Sequence, residues 1–200
     1  MAQRQKTRQQ RDNLVWAAAK LFRRQGYSGT GLRDILAASG AARGSLYHYF
    51  PGGKEQIGAA AVTAAGGLVT ETFAELARQA DGPADFLHRY SDLLVRWLEA
   101  SKFRDGCPIT TTLLETTPES AAISAAGRAV FADWRGVMAD MLRRDGWPAS
   151  RVPATATAII AGLEGALLMA RVQGSARPIH DTAQVLCDLL ETNQSRQTRA

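Results

Sequence analysis

Two hundred residues, 46% hydrophobic and 22% charged, suffice for one compact body with a small appended head and are too apolar for a disordered chain. Two cysteines, Cys107 and Cys187, argue against a disulfide framework or a four-ligand zinc site, and no apolar run approaches the ~20 residues of a bilayer span. The formal net charge is +5, yet residues 1–55 carry ten Lys or Arg against three acids, whereas residues 56–200 carry 14 basic against 16 acidic residues.

A basic head on a near-neutral body is the footprint of a polyanion-binding protein, most often one that binds nucleic acid. Charge alone fits a solvated basic helix equally well, so the local pattern has to decide. The N-terminus lacks the apolar centre of a secretory signal, and a cytoplasmic protein is expected, with no membrane partner, no metal and no cofactor.

The pattern is helical nearly throughout. Leu14, Ala18, Leu21 and Phe22 make one stripe of a first helix over Thr7–Gln25, which Gly26 ends. Thr30 is placed to cap a short second helix with Leu32, Ile35 and Leu36 inward, closed by Gly40. A third follows over Ala42–Tyr49, with Leu46 and Phe50 inward. After Pro51-Gly52-Gly53 an Ala-rich helix runs from Lys54 to about Ala80, where Gly58, Ala61, Ala65 and Gly66 permit close packing. Ala84–Ser101 buries Phe86, Leu87, Tyr90, Leu94, Trp97 and Leu98. A loop over 102–108 precedes a short helix through Leu113-Leu114-Glu115, and Pro118 opens a long helix to Arg144. Helices over Ser150–Gly174 and Pro178–Thr192 complete an all-α chain, and the residues from Asn193 read as a frayed polar tail.

Two short helices around Gly40, the second polar on one face, form a helix-turn-helix. The outward residues of the second suit DNA contact. Arg43 matches a guanine edge or a phosphate, Gly44 lets the backbone approach, and Ser45 donates to a base or phosphate. Tyr47 and His48 offer ring surface and a polar tip, and Thr30 and Lys54 stand at helix starts that suit phosphate. The plainer alternative makes Tyr47 and Tyr49 packing aromatics and His48 a surface histidine.

Residues 8–58 resemble the N-terminal domain of TetR-family regulators. The likeness rests on Ala17-Ala18-Ala19-Lys20-Leu21-Phe22-Arg23-Arg24-Gln25-Gly26-Tyr27, then Gly29-Thr30-Gly31-Leu32-Arg33-Asp34-Ile35-Leu36-Ala37, then Gly44-Ser45-Leu46-Tyr47-His48-Tyr49-Phe50. Many relatives have a shorter link between Phe50 and the lysine than the Pro51-Gly52-Gly53 found here. Phe103-Arg104-Asp105-Gly106-Cys107-Pro108-Ile109, with Pro51-Gly52-Gly53-Lys54-Glu55, is similar to the LmrA/YxaF-like branch. The resemblance implies a homodimer on double-stranded, palindromic operator DNA, with recognition helices in successive major grooves, and an aromatic or lipophilic small-molecule effector.

The expected architecture is a three-helix helix-turn-helix domain (1–53), a six-helix ligand-binding and dimerisation domain (54–193) and a polar tail (194–200). Trp97, Phe103, Leu114, Phe131, Trp134, Met138 and Met169 can line an effector cavity, and Cys107 is counted with them as a sensor of oxidation or electrophiles, although the plainer reading makes the apolar residues core and Cys107 structural. Ile159, Ile160, Leu163, Leu167 and Leu168 exceed one helical stripe, and Ile160, Leu163 and Leu167, with Leu186 and Leu190 from the stripe of the last helix, suggest a dimer seam through the last two helices, the plainer alternative being burial within one chain. Effector binding would then tilt the helix from Lys54 and spread the two heads. An enzyme finds little support: His48, His88 and His180 have no nucleophile or metal-ligand spacing, and Gly52-Gly53-Lys54-Glu55 lacks the marks of a P-loop. A membrane-surface module would explain the basic head but not the recognition-helix pattern.

Overall fold

Leu14, Ala18 and Phe22 recur at fourfold spacing and are all fully buried, forming the inner stripe of α1 (Ala2–Gln25). Then follow α2 (Leu32–Ser39), α3 (Arg43–Tyr49), α4 (Gly53–Gln79), α5 (Pro83–Ala100), α6 (Pro108–Thr116), α7 (Ala121–Arg144), α8 (Val152–Gln173) and α9 (Arg177–Gln197). The computed structural model describes residues 1–197, with the side chains of residues 2–4, 6, 43 and 192–197 left out of the description. Among the described residues the chain is all-α, as its periodicity predicts.

Differences at helix ends have local causes. α7 begins at Ala121, not at Pro118, because the Ser120 hydroxyl accepts from the Ile123 N–H as a cap. α9 continues to Gln197, past the expected end at Thr192, and the rest of the expected polar tail, residues 198–200, lies outside the described residues.

The chain packs as two units. One holds residues 1–68 and 107–130; the other holds residues 69–106 and those from 131 onward. The boundary expected at 53/54 follows a Pro-Gly-Gly break, which ends α3 locally without deciding what α4 packs against. The first part of α4, all of α6 and the first part of α7 belong with the helix-turn-helix.

Small residues make that grouping possible. A Cβ on Gly66 would lie 2.2 Å from Cγ2 of Val130, and one on Gly58 would lie 2.9 Å from Cδ1 of Ile123. In the second unit Phe73 is an aromatic hub, with ring centroids 5.3 Å from Phe86, 4.7 Å from Tyr90 and 5.8 Å from Trp134. α9 packs on α5 and α8, burying Ile179, Ala183, Cys187 and Leu190. Burial pushes the Cys187 thiol up to about 11, so it is inert packing.

Three features correct the sequence reading. Trp97 flanks the buried stripe of α5 and remains 46% exposed. Ile160, Leu163 and Leu190, expected at a dimer seam, are buried inside the chain's own unit, and Leu167 and Leu186 are half-buried there. By length and apolar composition alone, α4 and α8 would qualify as bilayer spans, contrary to the expectation that no segment does. Here these helices bury Ile57, Val62 and Phe73, and Ile159, Leu163 and Ala170, within the fold.

Two adjacent glycines should respond oppositely to alanine. Gly67→Ala fills open space in a helix and should stabilise by about 0.5–1 kcal/mol. Gly66→Ala drives a methyl into the buried, branched Val130 and should lower the melting temperature, because overpacking of about 1–3 kcal/mol exceeds the propensity gain. Thermal unfolding of the two variants checks the signs.

Candidate nucleic-acid interface

The chain leaves α1 through Gly26 at φ 83 and ψ 165, a positive-φ extended conformation that favours glycine and differs from the left-handed cap expected there. Thr30, expected to cap α2 and meet phosphate, is fully buried, and its hydroxyl donates to the Gly26 carbonyl at 2.7 Å. Gly31 is the N-cap instead, its N–H donating to Oδ2 of Asp34 at 2.8 Å. Thr30 therefore shapes the turn from inside, and the start of α2 at Leu32 and Arg33 stays at the surface. Gly40, left-handed at φ 65, closes α2 and allows α3 to begin three residues later.

Seven residues are too few for a stable free helix, so α3 is held by its buried side. Leu46 and Phe50 are fully buried, and the Tyr49 hydroxyl donates to Oε1 of Gln10 on α1 at 3.0 Å. The Arg11 guanidinium lies 5.2 Å above the Phe50 ring. On the other side, Tyr47 is 58% exposed, Gly44 and His48 are exposed, and Ser45 is half-buried. Nothing lies within 4 Å of where a Gly44 Cβ would stand, so the backbone there is open to close approach. Arg43 opens the helix, but its side chain lies outside the described residues. An open groove of about 440 Å³ runs beside this face, lined by Leu32, Arg33, Asp34, Leu36, Leu46 and Tyr47.

Lys54, in the first turn of α4, is half-buried, with Nζ 4.3 Å from the centroid of the Tyr27 ring. Burial lowers its pKa, against the opposing pull of Glu115 and Asp34. Tyr27 in turn is raised by burial and by the Glu55 charge.

Residues that the sequence pattern does not single out tie the turn after α1 and the first turn of α4 to distant elements. The Glu115 carboxylate accepts from the Tyr27 N–H at 3.1 Å and the Ser28 N–H at 2.7 Å. Burial pushes the Glu115 pKa up, but hydrogen bonds from Ser28 and Tyr27 and the Lys54 charge outweigh it, and the group sits below its ordinary value. A second link joins Ser120, whose hydroxyl donates to Oε1 of Glu55 at 2.5 Å. Partners 65 to 88 residues apart leave no periodic trace, so nothing in the sequence pattern reveals them.

The eight residues expected around an effector are divided between the units. Cys107 and Leu114 belong to the first, and Leu114 is 72% exposed. Trp97, Phe103, Phe131, Trp134, Met138 and Met169 belong to the second; Trp134 and Met138 are core residues, while Trp97 and Met169 are exposed. Apolar spacing marks a face without saying whether protein or solvent covers it. Trp134 lines a narrow crevice of about 10 Å³ with Phe73, Tyr90, Leu163, Glu164 and Leu167, room for no more than a water molecule. Among the described residues no His/Cys/Asp/Glu group is placed to hold a metal ion.

Comparison with known proteins matches residues 14–61 to the family of bacterial regulatory proteins described as the tetR family. Residues 83–185 match the C-terminal domain of LmrA/YxaF-like transcriptional regulators. An uncharacterized HTH-type transcriptional regulator of Mycobacterium tuberculosis, Rv0196, is 36% identical over 90% of this chain and 93% of its own. The HTH-type transcriptional regulator LmrA of Bacillus subtilis is 30% identical over 90% of this chain and 96% of its own. Among solved structures, a TetR transcriptional regulator from Chloroflexus aurantiacus superposes with a TM-score of 0.77 at 28% identity, covering 94% of this chain and 96% of the other.

The Glu115 contacts carry a pH signature. A carboxyl group depressed in the fold stabilises it above its unfolded value of about 4.3, and that contribution disappears as pH falls through the lower folded value. Melting temperature followed from about pH 6 to about pH 3 should fall less steeply in Glu115→Gln than in the unaltered chain. Superimposable slopes would show that the Glu115 carboxylate does not contribute.

Proposed function

The chain belongs to the TetR family of bacterial transcriptional regulators, a non-enzymatic family, and on that premise we propose that it is a repressor that grips a palindromic operator as a homodimer and is released by a small apolar effector. The observation that carries DNA reading is the two-sidedness of α3. Leu46 and Phe50 anchor it completely, leaving Gly44, Tyr47 and His48 presented together within the basic first quarter of the chain. Arg43, Ser45 and Lys54 complete the proposed contact set. Arg43, Gly44, Ser45, Tyr47 and His48 address the major groove, and Lys54 leaves the Tyr27 ring for a phosphate. The work is that of a cytoplasmic protein.

Dimerisation through α8 and α9 is supported by what those helices leave uncovered. Leu168, Met169, Val172, Val185 and Leu189 are exposed, while the opposite faces are buried in the chain's own core. A surface carrying this many large apolar side chains on neighbouring helices suits an isologous four-helix contact. The seam is therefore assigned to these residues, in place of Ile160, Leu163 and Leu190.

Effector control is supported by the aromatic hub of Phe73, Tyr90 and Trp134, whose crevice is closed in this state. A drug-sized molecule needs roughly 300 Å³ or more, so occupancy requires these walls to part. α4 is continuous from Gly53 to Gln79, carrying Lys54 at one end and Phe73 near the other. Movement at Phe73 thus reaches the DNA-reading unit through an unbroken helix. The effector's preference for the free protein and the operator's preference for the empty protein are one coupling energy.

Selection of bound duplexes from a random pool tests the reading. A two-fold symmetric site with half-sites about one helical turn apart is expected, and recovery of unrelated sequences would refute it. On that site, Tyr47→Ala or Arg43→Ala should relax preference at one base position by about 1–3 kcal/mol. Lys54→Ala should lower the salt slope by about one while leaving sequence preference intact. Leu168→Glu combined with Leu189→Glu should yield a folded monomer by sedimentation; a persistent dimer would remove α8 and α9 from the seam.

A further inference from the structure

Glu115 stands in the last turn of α6, where the helix dipole disfavours a carboxylate. Its charge is met from outside that helix. The backbone N–H groups of Tyr27 and Ser28 both donate to it across 87 to 88 residues of sequence. The receiving turn is built around the carboxylate: Gly26 has a positive φ of 83, and a Cβ there would stand 2.3 Å from Oε1 of Glu115. What the clamp holds is the turn that leads into α2 and carries the Tyr27 ring. The Tyr27 carbonyl accepts from the Thr30 N–H at 3.1 Å and the Gly26 carbonyl from the Thr30 hydroxyl, which fixes the approach to α2. The Tyr27 ring carries Lys54 on its face, 4.3 Å from Nζ.

We propose that Glu115 is a positioning residue for DNA binding: by holding the 26–28 turn it sets the Tyr27 ring against which Lys54 is poised, and so the reach of that cation to a phosphate. The inference rests on the proposed operator binding and adds to it a residue that touches no DNA. Its sense opposes simple charge counting. Removing a carboxylate from a basic DNA-binding unit should, by net charge alone, tighten binding to a polyanion. Loss of the clamp should weaken it.

The test uses the full-length protein and the duplex recovered by selection, with operator affinity, salt slope and melting temperature measured on the same samples. Glu115→Gln keeps size and one acceptor but presents a donor to one of the two amides; Glu115→Asp keeps the charge but draws it back by a methylene. Each should bind operator about tenfold more weakly than the unaltered chain, within the range of direct coupling energies, and with a shallower salt slope. In a Lys54→Ala background, Glu115→Gln should cost little more, because both changes act on one phosphate contact. If Glu115→Gln binds as tightly or more tightly while only its melting temperature falls, the residue merely staples the fold and the proposal is wrong. Additive losses with Lys54→Ala would equally overturn it. If the unaltered protein selects no duplex, the proposed function fails first, a result distinguishable from failure of the clamp.

Discussion

The face of α3 proposed to read DNA depends on the complete burial of Leu46 and Phe50. α3 has seven residues, below the length at which a helix holds itself together in water, and its exposed face buries little. Two apolar side chains four residues apart therefore do two jobs. They supply the burial that makes the helix exist, and by occupying one face they decide that Gly44, Tyr47 and His48 occupy the other. The Tyr49 hydroxyl bond to Gln10 and the Arg11 guanidinium over Phe50 tie that anchor to α1.

Behind α3, the unit is completed by elements far away in sequence. The turn after α1 is closed by a glutamate from α6, and the first turn of α4 is joined to Ser120 at the head of α7. Close helix contacts at Gly58 and Gly66 let α4 and α7 pack with little between them. The compact unit that presents α3 thus spans residues 1–68 and 107–130, and the three-helix motif is one part of it.

Legibility in the sequence followed the range of the interaction. The stripes of α1, α2 and α3 are local: Leu14, Ala18, Phe22, Ile35, Leu46 and Phe50 lie at helical spacing, and all are buried as that spacing requires. Thr30 misled because a threonine before a short helix fits a cap as well as a buried hydroxyl, and the Gly26 carbonyl decided between them. Trp97, Leu114 and Met169 misled because an apolar residue near a stripe has the same periodicity whether it faces the core or solvent. In α8, apolar residues cover more than one face. Periodicity could name that excess but not divide it between the chain's own core, which takes Ile160 and Leu163, and the surface, which keeps Leu168 and Val172.

By itself, the sequence determined the helical class, the order of the elements, the helix-turn-helix with its inward and outward faces, and the concentration of positive charge in the first quarter of the chain. These are set by residues within one or two turns of each other, or by composition, and no folding is needed to see them. Tertiary structure alone decided which helices share a unit, which apolar faces remain exposed on α8 and α9, how little room lies beside Phe73 and Trp134, and that Glu115 grips the turn after α1. Each of these depends on surfaces meeting across tens of residues, and a contact of that kind has no period for a sequence to display.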